Sequence, residues 1–229
     1  MKKILIFGGT GQVGTHLVRM LTKNNHRVTV VTRNIHKKGF KMKIMGNAGY
    51  INLVEANIFD EIKIRKLFDE ANICINLIGI LYEKKSNSFK NIHTLFPSLL
   101  SKLCKEYNLE KFIHLSALGI NQATDSNYAK SKLNGEFEIL KNFPKATILR
   151  PSIVFSRSDS FTTLFMTLLN RLPIFPIYYS GKTKFMPIHC SDLVDVINHV
   201  ISKNTEYNII ECVGPEVLTF KEIIEKLLK

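Results

Sequence analysis

Lys2-Lys3-Ile4-Leu5-Ile6-Phe7-Gly8-Gly9-Thr10-Gly11-Gln12-Val13-Gly14 opens the chain, and the reading of this stretch decides the fold. The apolar run Ile4 to Phe7 has the character of a buried strand, and Gly8, Gly11 and Gly14 follow it at a GxxGxxG spacing. Each glycine has its own physical task. The first allows a tight turn, the second lets backbone approach a pyrophosphate, and the third lets the next helix pack on the strand. Free N–H groups at the helix start, around Gln12 and Val13, then face the anion. A lone glycine triplet is a weak signal, since an ordinary strand-to-helix loop also produces one. Its weight comes from standing after a strand and before a helix at the head of a βαβ unit.

Working outward, short β-branched runs alternate with helical patterns as far as about residue 155. Residues 3–7, 27–32, 51–56, 73–78, 111–116 and 146–149 read as strands that are apolar almost throughout, as parallel strands covered on both faces are. Helical patterns at 12–24, 60–70, 88–107 and 127–142 lie between them, with Asp60 as an N-cap. The expected fold class is α/β, a Rossmann doubly wound parallel sheet. After Arg150-Pro151 the character changes. Pro173, Pro176, Pro187 and Gly181 break the chain around a short helix near 160–171. A helix over 192–203 and a strand over 207–213 follow, and Thr219-Phe220-Lys221-Glu222 forms a capping box for a last helix. The organisation expected is a dinucleotide-binding domain over 1–155 and a small mixed, substrate-type lobe over 156–229, part of which returns to the sheet.

With 229 residues and 45% hydrophobic content the chain can bury a full core, and 22% charged residues exclude a disordered tail. Cys74, Cys104, Cys190 and Cys212 lie far apart without a CxxC pair or a histidine cluster, so no disulfide framework and no metal site is indicated. The apolar run at the N-terminus is too short for a signal-peptide core. No segment approaches the roughly 18 apolar residues of a membrane span. A cytoplasmic place is expected. The net charge of +13 comes largely from lysine, in company with isoleucine and asparagine. Such a mix arises from an AT-rich genome without selection for binding; the other reading is attraction to phosphates or an anionic membrane face. No nucleic-acid-binding motif is present.

Two features refine the cofactor reading. At the end of the second strand an acidic residue accepts the ribose 2′-OH of NAD, whereas an arginine suits the 2′-phosphate of NADP. Arg33 stands there, and Lys37, Lys38, Lys41 and Lys43 follow with no acid between them. A solvated basic loop is the bland alternative. Because the acid is missing and the base present, NADP is favoured over NAD. The second feature is Tyr128 and Lys132, one helical turn apart, where a lysine can hold the ribose and lower the tyrosine pKa. The same spacing recurs at Tyr107/Lys111 and Tyr178/Lys182, so spacing alone says little. Only Tyr128 begins a helix just after the fifth strand, at the carboxyl ends of the strands where the nicotinamide would lie.

Gly8-Gly9-Thr10-Gly11-Gln12-Val13-Gly14, Asn76-Leu77-Ile78-Gly79-Ile80, His114 to Gly119, Tyr128-Ala129-Lys130-Ser131-Lys132, Leu149-Arg150-Pro151-Ser152 and Pro187 to Asp192 occur in order. Together they resemble the extended or atypical short-chain dehydrogenase/reductase superfamily, epimerases included. Asn76 to Glu83, the Ser-Ala-Leu-Gly after the fifth strand and Gly214 to Phe220 are similar to the nucleotide-binding accessory subunit of respiratory complex I and its bacterial relatives. The resemblance covers essentially the whole chain. Members of that family continue well beyond this C-terminus, which implies a second lobe represented in part.

Carried over residue by residue, the resemblance implies that the glycine turn and Arg33 bind phosphates and that Asn57 and Ile58 lie near the adenine. Gly79, Ser116, Tyr128 and Lys132 would line the ribose and nicotinamide region. It implies tight binding of NADP(H) as a structural or regulatory ligand. It also implies docking on respiratory complex I or the cytoplasmic face of the inner membrane. The rival is an NAD(P)-dependent reductase or epimerase using Tyr128 and Lys132. Two departures bear on the choice: Asn57 stands where catalytic relatives carry an acid, and Ser116 is followed by Ala117 where they carry a second hydroxyl. Ser116 is left between a catalytic role and a strand-end hydroxyl bonded to backbone. His93 reads as structural, His189 as a core or interface residue, and Asp192 as a helix N-cap. Phe161, Phe165, Met166 and Leu169 read as core or a partner face.

Overall fold

The computed structural model describes residues 1–84, 87–157, 159–172, 175–203 and 205–228; the break expected at Pro173 lies outside the described residues. The chain alternates β1 (Lys3–Phe7), α1 (Gln12–Lys23), β2 (Arg27–Thr32), α2 (Ile35–Lys43), β3 (Ile51–Glu55), α3 (Glu61–Lys66) and β4 (Ile73–Asn76). A π-helical turn over Lys90–Leu95 runs into α4 (Phe96–Glu106), followed by β5 (Lys111–Leu115), α5 (Asn127–Asn142) and β6 (Thr147–Pro151). The remainder holds β7 (Val154–Phe155), α6 (Ser160–Arg171), β8 (Lys184–Phe185), β9 (Ile188–His189), α7 (Cys190–Ser202), β10 (Ile209–Cys212), β11 (Leu218–Thr219) and α8 (Phe220–Leu227).

Seven strands form one parallel sheet in the order β3-β2-β1-β4-β5-β6-β10. The order reverses between β1 and β4, and such a reversal opens a crevice at the carboxyl ends of the strands. Apolar side chains leave both faces, as the near-continuous hydrophobic runs require. One face is covered by Leu17, Val18 and Leu21 of α1, Met42 of α2 and Leu193, Ile197 and Val200 of α7. The other is covered by Ile64 of α3, Leu100 and Leu103 of α4 and Ile139 of α5.

Local chemistry sets the helix ends. Asp60, Ser126 and Asp159 accept the N3 N–H groups of α3, α5 and α6, and Thr219 and Glu222 complete a reciprocal capping box on α8. Two expectations are corrected. The basic segment after Arg33 is the helix α2, capped by Asn34 through the Lys37 N–H. Its apolar pattern is thin, because the helix meets the sheet through glycine: a Cβ on Gly39 would stand 3.3 Å from Leu53 Cδ1 of β3. At α7 the N-cap is His189, which accepts the Ser191 N–H, and Asp192 lies in the first turn. The strand β9 runs straight into the helix there, so the capping role falls on its last residue, and Asp192 meets the positive end of the helix dipole.

α5 is tied to the sheet by a buried ion pair. The Arg150 guanidinium donates to Glu136 through Nε at 3.1 Å and Nη2 at 2.6 Å, a forked pairing that leaves neither charge alone. Removing one partner strands a buried charge. Arg150→Met is expected to cost about 3–5 kcal/mol in urea unfolding, and Glu136→Leu added to it to recover most of that loss.

Candidate functional site

The crevice begins at the glycine turn. Gly8 has φ +81°, the left-handed region, and a Cβ there would come within 3.0 Å of the Leu77 carbonyl carbon. A Cβ on Gly14 would stand 2.5 Å from Gly8 O and Gly9 Cα, so α1 closes on the turn only without a side chain. The Gly11 N–H donates to Gly8 O at 3.0 Å. Gly11 is the N-cap of α1, with no side-chain cap bond and no acid in the first turn. The helix therefore presents its positive end, at Gln12 and Val13, without a resident anion. The Gln12 side chain turns away, donating to Val154 O at 3.2 Å and Ser156 Oγ at 3.1 Å.

A cleft of about 470 Å³ extends from this turn and gathers Gly8, Gly11, Arg33, Asn57, Ile58 and Gly79 on one wall system, together with Lys37. No carboxylate lines it among the described residues. Glu55 at the end of β3 is engaged instead by the Ile35 N–H, at 2.8 Å. Asn57 Oδ1 accepts the Phe59 N–H, which spends its side chain on the turn after β3. Val13 and Gly14 stand behind Gly11 in α1, and Gly14 is buried.

Gly79 joins the cleft to a second group of residues. The Lys132 Nζ would lie 3.7 Å from a Cβ on Gly79, and His93 Nε2 3.9 Å. Lys132 is buried, and its ammonium donates to Leu115 O at 3.3 Å and sits 5.7 Å from the Tyr128 ring centroid. His93, read from the sequence as structural, stands in the middle of this group. Its Nε2 accepts the Ile80 N–H at 3.1 Å, and Nδ1 meets Ser131 Oγ at 2.9 Å while that hydroxyl donates to Tyr128 O. The ring packs edge-on against Tyr128. Its position is set by the π-helical turn and by Gly135 of α5, where a Cβ would collide with His93 O. In the sequence His93 lies in a helical stretch with apolar neighbours, which periodicity does not separate from ordinary core.

Behind Lys132 lie two further buried polar groups. Asn76 Oδ1 accepts the Ile78 N–H, which fixes the amide so that Nδ2 donates to His114 Nδ1 at 3.2 Å. Among the described residues, His114 Nε2 and Ser116 Oγ have no hydrogen-bond partner. Ser116 is therefore not the backbone-bonded hydroxyl that one reading of the strand end expected.

Burial governs the titration here. It pushes the Lys132 ammonium down to about 8, partly opposed by the charge of Glu136. It raises the Tyr128 phenol above its ordinary value, where the sequence pairing led to a lowered one. Lys132 is directed at the Leu115 carbonyl. His93 is lowered to about 3, first by burial and then by the Lys132 charge. A histidine that titrates near 6.5 unfolded and near 3 folded takes up its proton first in the unfolded chain. Stability is thus complete above about pH 6.5 and is lost as pH falls toward 3. Between neutral pH and about pH 4, wild-type stability should fall by about 3 kcal/mol more than that of His93→Gln in urea titrations. Parallel curves would show that His93 does not carry the acid sensitivity.

A family model described as the NAD dependent epimerase/dehydratase family matches residues 4–211. The mitochondrial "NADH dehydrogenase (ubiquinone) 1 alpha subcomplex subunit 9" of Dictyostelium discoideum is 32% identical over 225 residues, 97% of this chain and 62% of that protein. The protein of the same name from Arabidopsis thaliana is 28% identical, over 96% of this chain and 56% of its own length. The chain thus spans about three-fifths of these relatives. Among solved structures, dTDP-glucose 4,6-dehydratase from Bacillus anthracis, in complex with NAD, superposes with a TM-score of 0.83 at 16% identity, over 100% of this chain and 80% of that one. That likeness is one of fold. With the glycine turn, the switch-point cleft and a family match over nearly its whole length, the chain belongs to the NAD dependent epimerase/dehydratase family.

Proposed function

We propose that the protein binds NADP(H) tightly, as a structural or regulatory ligand, in the manner of a complex I accessory subunit. The observation that carries this reading is the cleft itself, lined by Arg33 just past β2 and Lys37 of α2 with no carboxylate among its described lining residues, while Glu55 and Asp60 line the adjoining cavity with Arg33. Arg33 and Lys37 would hold the 2′-phosphate, and the N–H groups of Gln12 and Val13 the pyrophosphate. Asn57 and Ile58 would flank the adenine, and Gly79 would leave room for the ribose beside Lys132. The relatives named as complex I subunits support a place on that assembly, and docking at the cytoplasmic face of the inner membrane belongs to the same proposal.

The inner group favours binding over turnover. Ser116 is followed by Ala117, Lys132 is directed at the Leu115 carbonyl, and burial holds the Tyr128 phenol protonated. A second reading, a reductase or epimerase, has one observation in its favour: Tyr128 and Lys132 share a face of α5 beside Gly79. In that reading Tyr128 gives its proton to a substrate carbonyl oxygen while bound NADPH supplies the hydride and Lys132 holds the ribose.

Purification from the host decides between them. Nucleotide that stays bound through purification, does not exchange and travels with a complex I fraction is expected. Rapid exchange, with carbonyl-dependent oxidation of NADPH that Tyr128→Phe abolishes, would sink the structural reading. For the choice of cofactor, Arg33→Ala should weaken NADP by about tenfold or more relative to NAD in calorimetric titrations, since a charge-assisted phosphate contact is lost. Equal loss for both dinucleotides would refute the assignment.

A further inference from the structure

The positive charge of the chain is not spread evenly. The first carboxylate is Glu55, and ten Lys and Arg precede it; the remaining 22 are set against all 19 acidic residues. The excess therefore belongs to the unit β1-α1-β2-α2, one edge of the sheet and one layer of helices.

α2 carries this charge in a particular pattern. Its inner side, Ile35, Gly39 and Met42, faces β3 and the core. At about 100° per residue, the outer side runs Lys43, His36, Phe40, Ile44, Lys37, Lys41 around the helix. Phe40 and Ile44 are 77% and 68% exposed, so two large apolar side chains occupy the middle of the outward face with lysines on both flanks. What marks the patch is that the two stand together within a ring of lysines, since a rimmed apolar patch is the mark of an interaction surface. The turn after α2 packs on Thr22 of α1, which brings exposed Arg19 and Lys23 beside the same end of the helix. The carboxylate that touches α2 is Glu55, at the N-terminal end where it accepts the Ile35 N–H, and Asp192 and Asp195 belong to α7, which packs on α1.

We infer that the outer face of α2, with Arg19 and Lys23 of α1, docks on an anionic phospholipid surface. The phosphate groups of such a surface meet the lysines, and Phe40 and Ile44 enter the boundary between headgroups and acyl chains. Charge alone would fit any polyanion. The apolar centre of the patch selects a bilayer, because a nucleic-acid backbone offers nothing to bury Ile44 against. No helix among the described residues is long and apolar enough to cross a membrane. This deepens the membrane-face placement proposed above, but it rests on its own residues.

Flotation of the full chain with vesicles tests it, using phosphatidylcholine alone against an equal mixture with phosphatidylglycerol. Binding is expected to the mixture only. At about fivefold per lysine, Lys41→Ala with Lys43→Ala should weaken it by about 25-fold. Phe40→Ser should weaken it by about tenfold, and neither change should move the melting temperature or NADPH affinity, since all three side chains are exposed and outside the cleft. Equal binding to both vesicles, or variants that float like the wild type, would overturn the docking. So would retention on polyuridylic acid that falls with the lysines and ignores Phe40, which would mark a polyanion site. Loss of vesicle binding alongside unchanged co-purification with complex I removes the docking and leaves the proposed function. Vesicle binding without nucleotide or complex I does the reverse.

Discussion

The cleft depends on how near α1 can come to the end of β1. Gly14 packs directly against the backbone of Gly8 and Gly9, with no room for even a methyl group. That approach aims the uncapped end of α1 along the crevice and lets Gly11 sit as its N-cap. A side chain at Gly14 would tilt the helix and displace the N–H groups that the proposed phosphate contact needs, without touching a ligand. Close packing and anion binding are thus one constraint seen from two sides.

A second close approach shapes the inner end. Gly135 lets α5 press against the π-helical turn, whose extra residue turns His93 inward. His93 then ties the Ile80 N–H, after β4, to Ser131 on α5, and so holds the Gly79 segment against Tyr128 and Lys132. The Glu136–Arg150 pair anchors the same helix to β6. Several charged and polar groups are buried in this region, and a satisfied network of this kind trades stability for a fixed arrangement. The orphaned His114 Nε2 and Ser116 Oγ lie where such satisfaction is incomplete.

Parts of this were open to inspection in the residue order. The strands β1 and β2, the helices α1 and α5 and the capping box at Thr219 rest on local periodicity and hydrogen bonding, which neighbouring residues encode. The place of α2 was not legible, because its inner face is built around Gly39 with only Ile35 and Met42 beside it, while Phe40 points outward. The partners of His93 were not legible for a related reason. A histidine among apolar neighbours looks like core until the opposite wall is known, and that wall comes from α5, whose Ser131 lies far along the chain.

The residue order by itself determined the phosphate turn, the parallel α/β alternation and the absence of an acid at the end of β2. These are properties of short segments, and short segments carry their own steric and hydrogen-bonding rules. Only the tertiary structure decided that Lys132 is directed at the Leu115 carbonyl and that the Tyr128 pKa rises, since both follow from burial by distant elements. It alone also showed that Lys37, Lys41 and Lys43 stand on the outside of one helix around Phe40 and Ile44. Which face of a helix meets water is settled by what the sheet covers, and no window of sequence contains that.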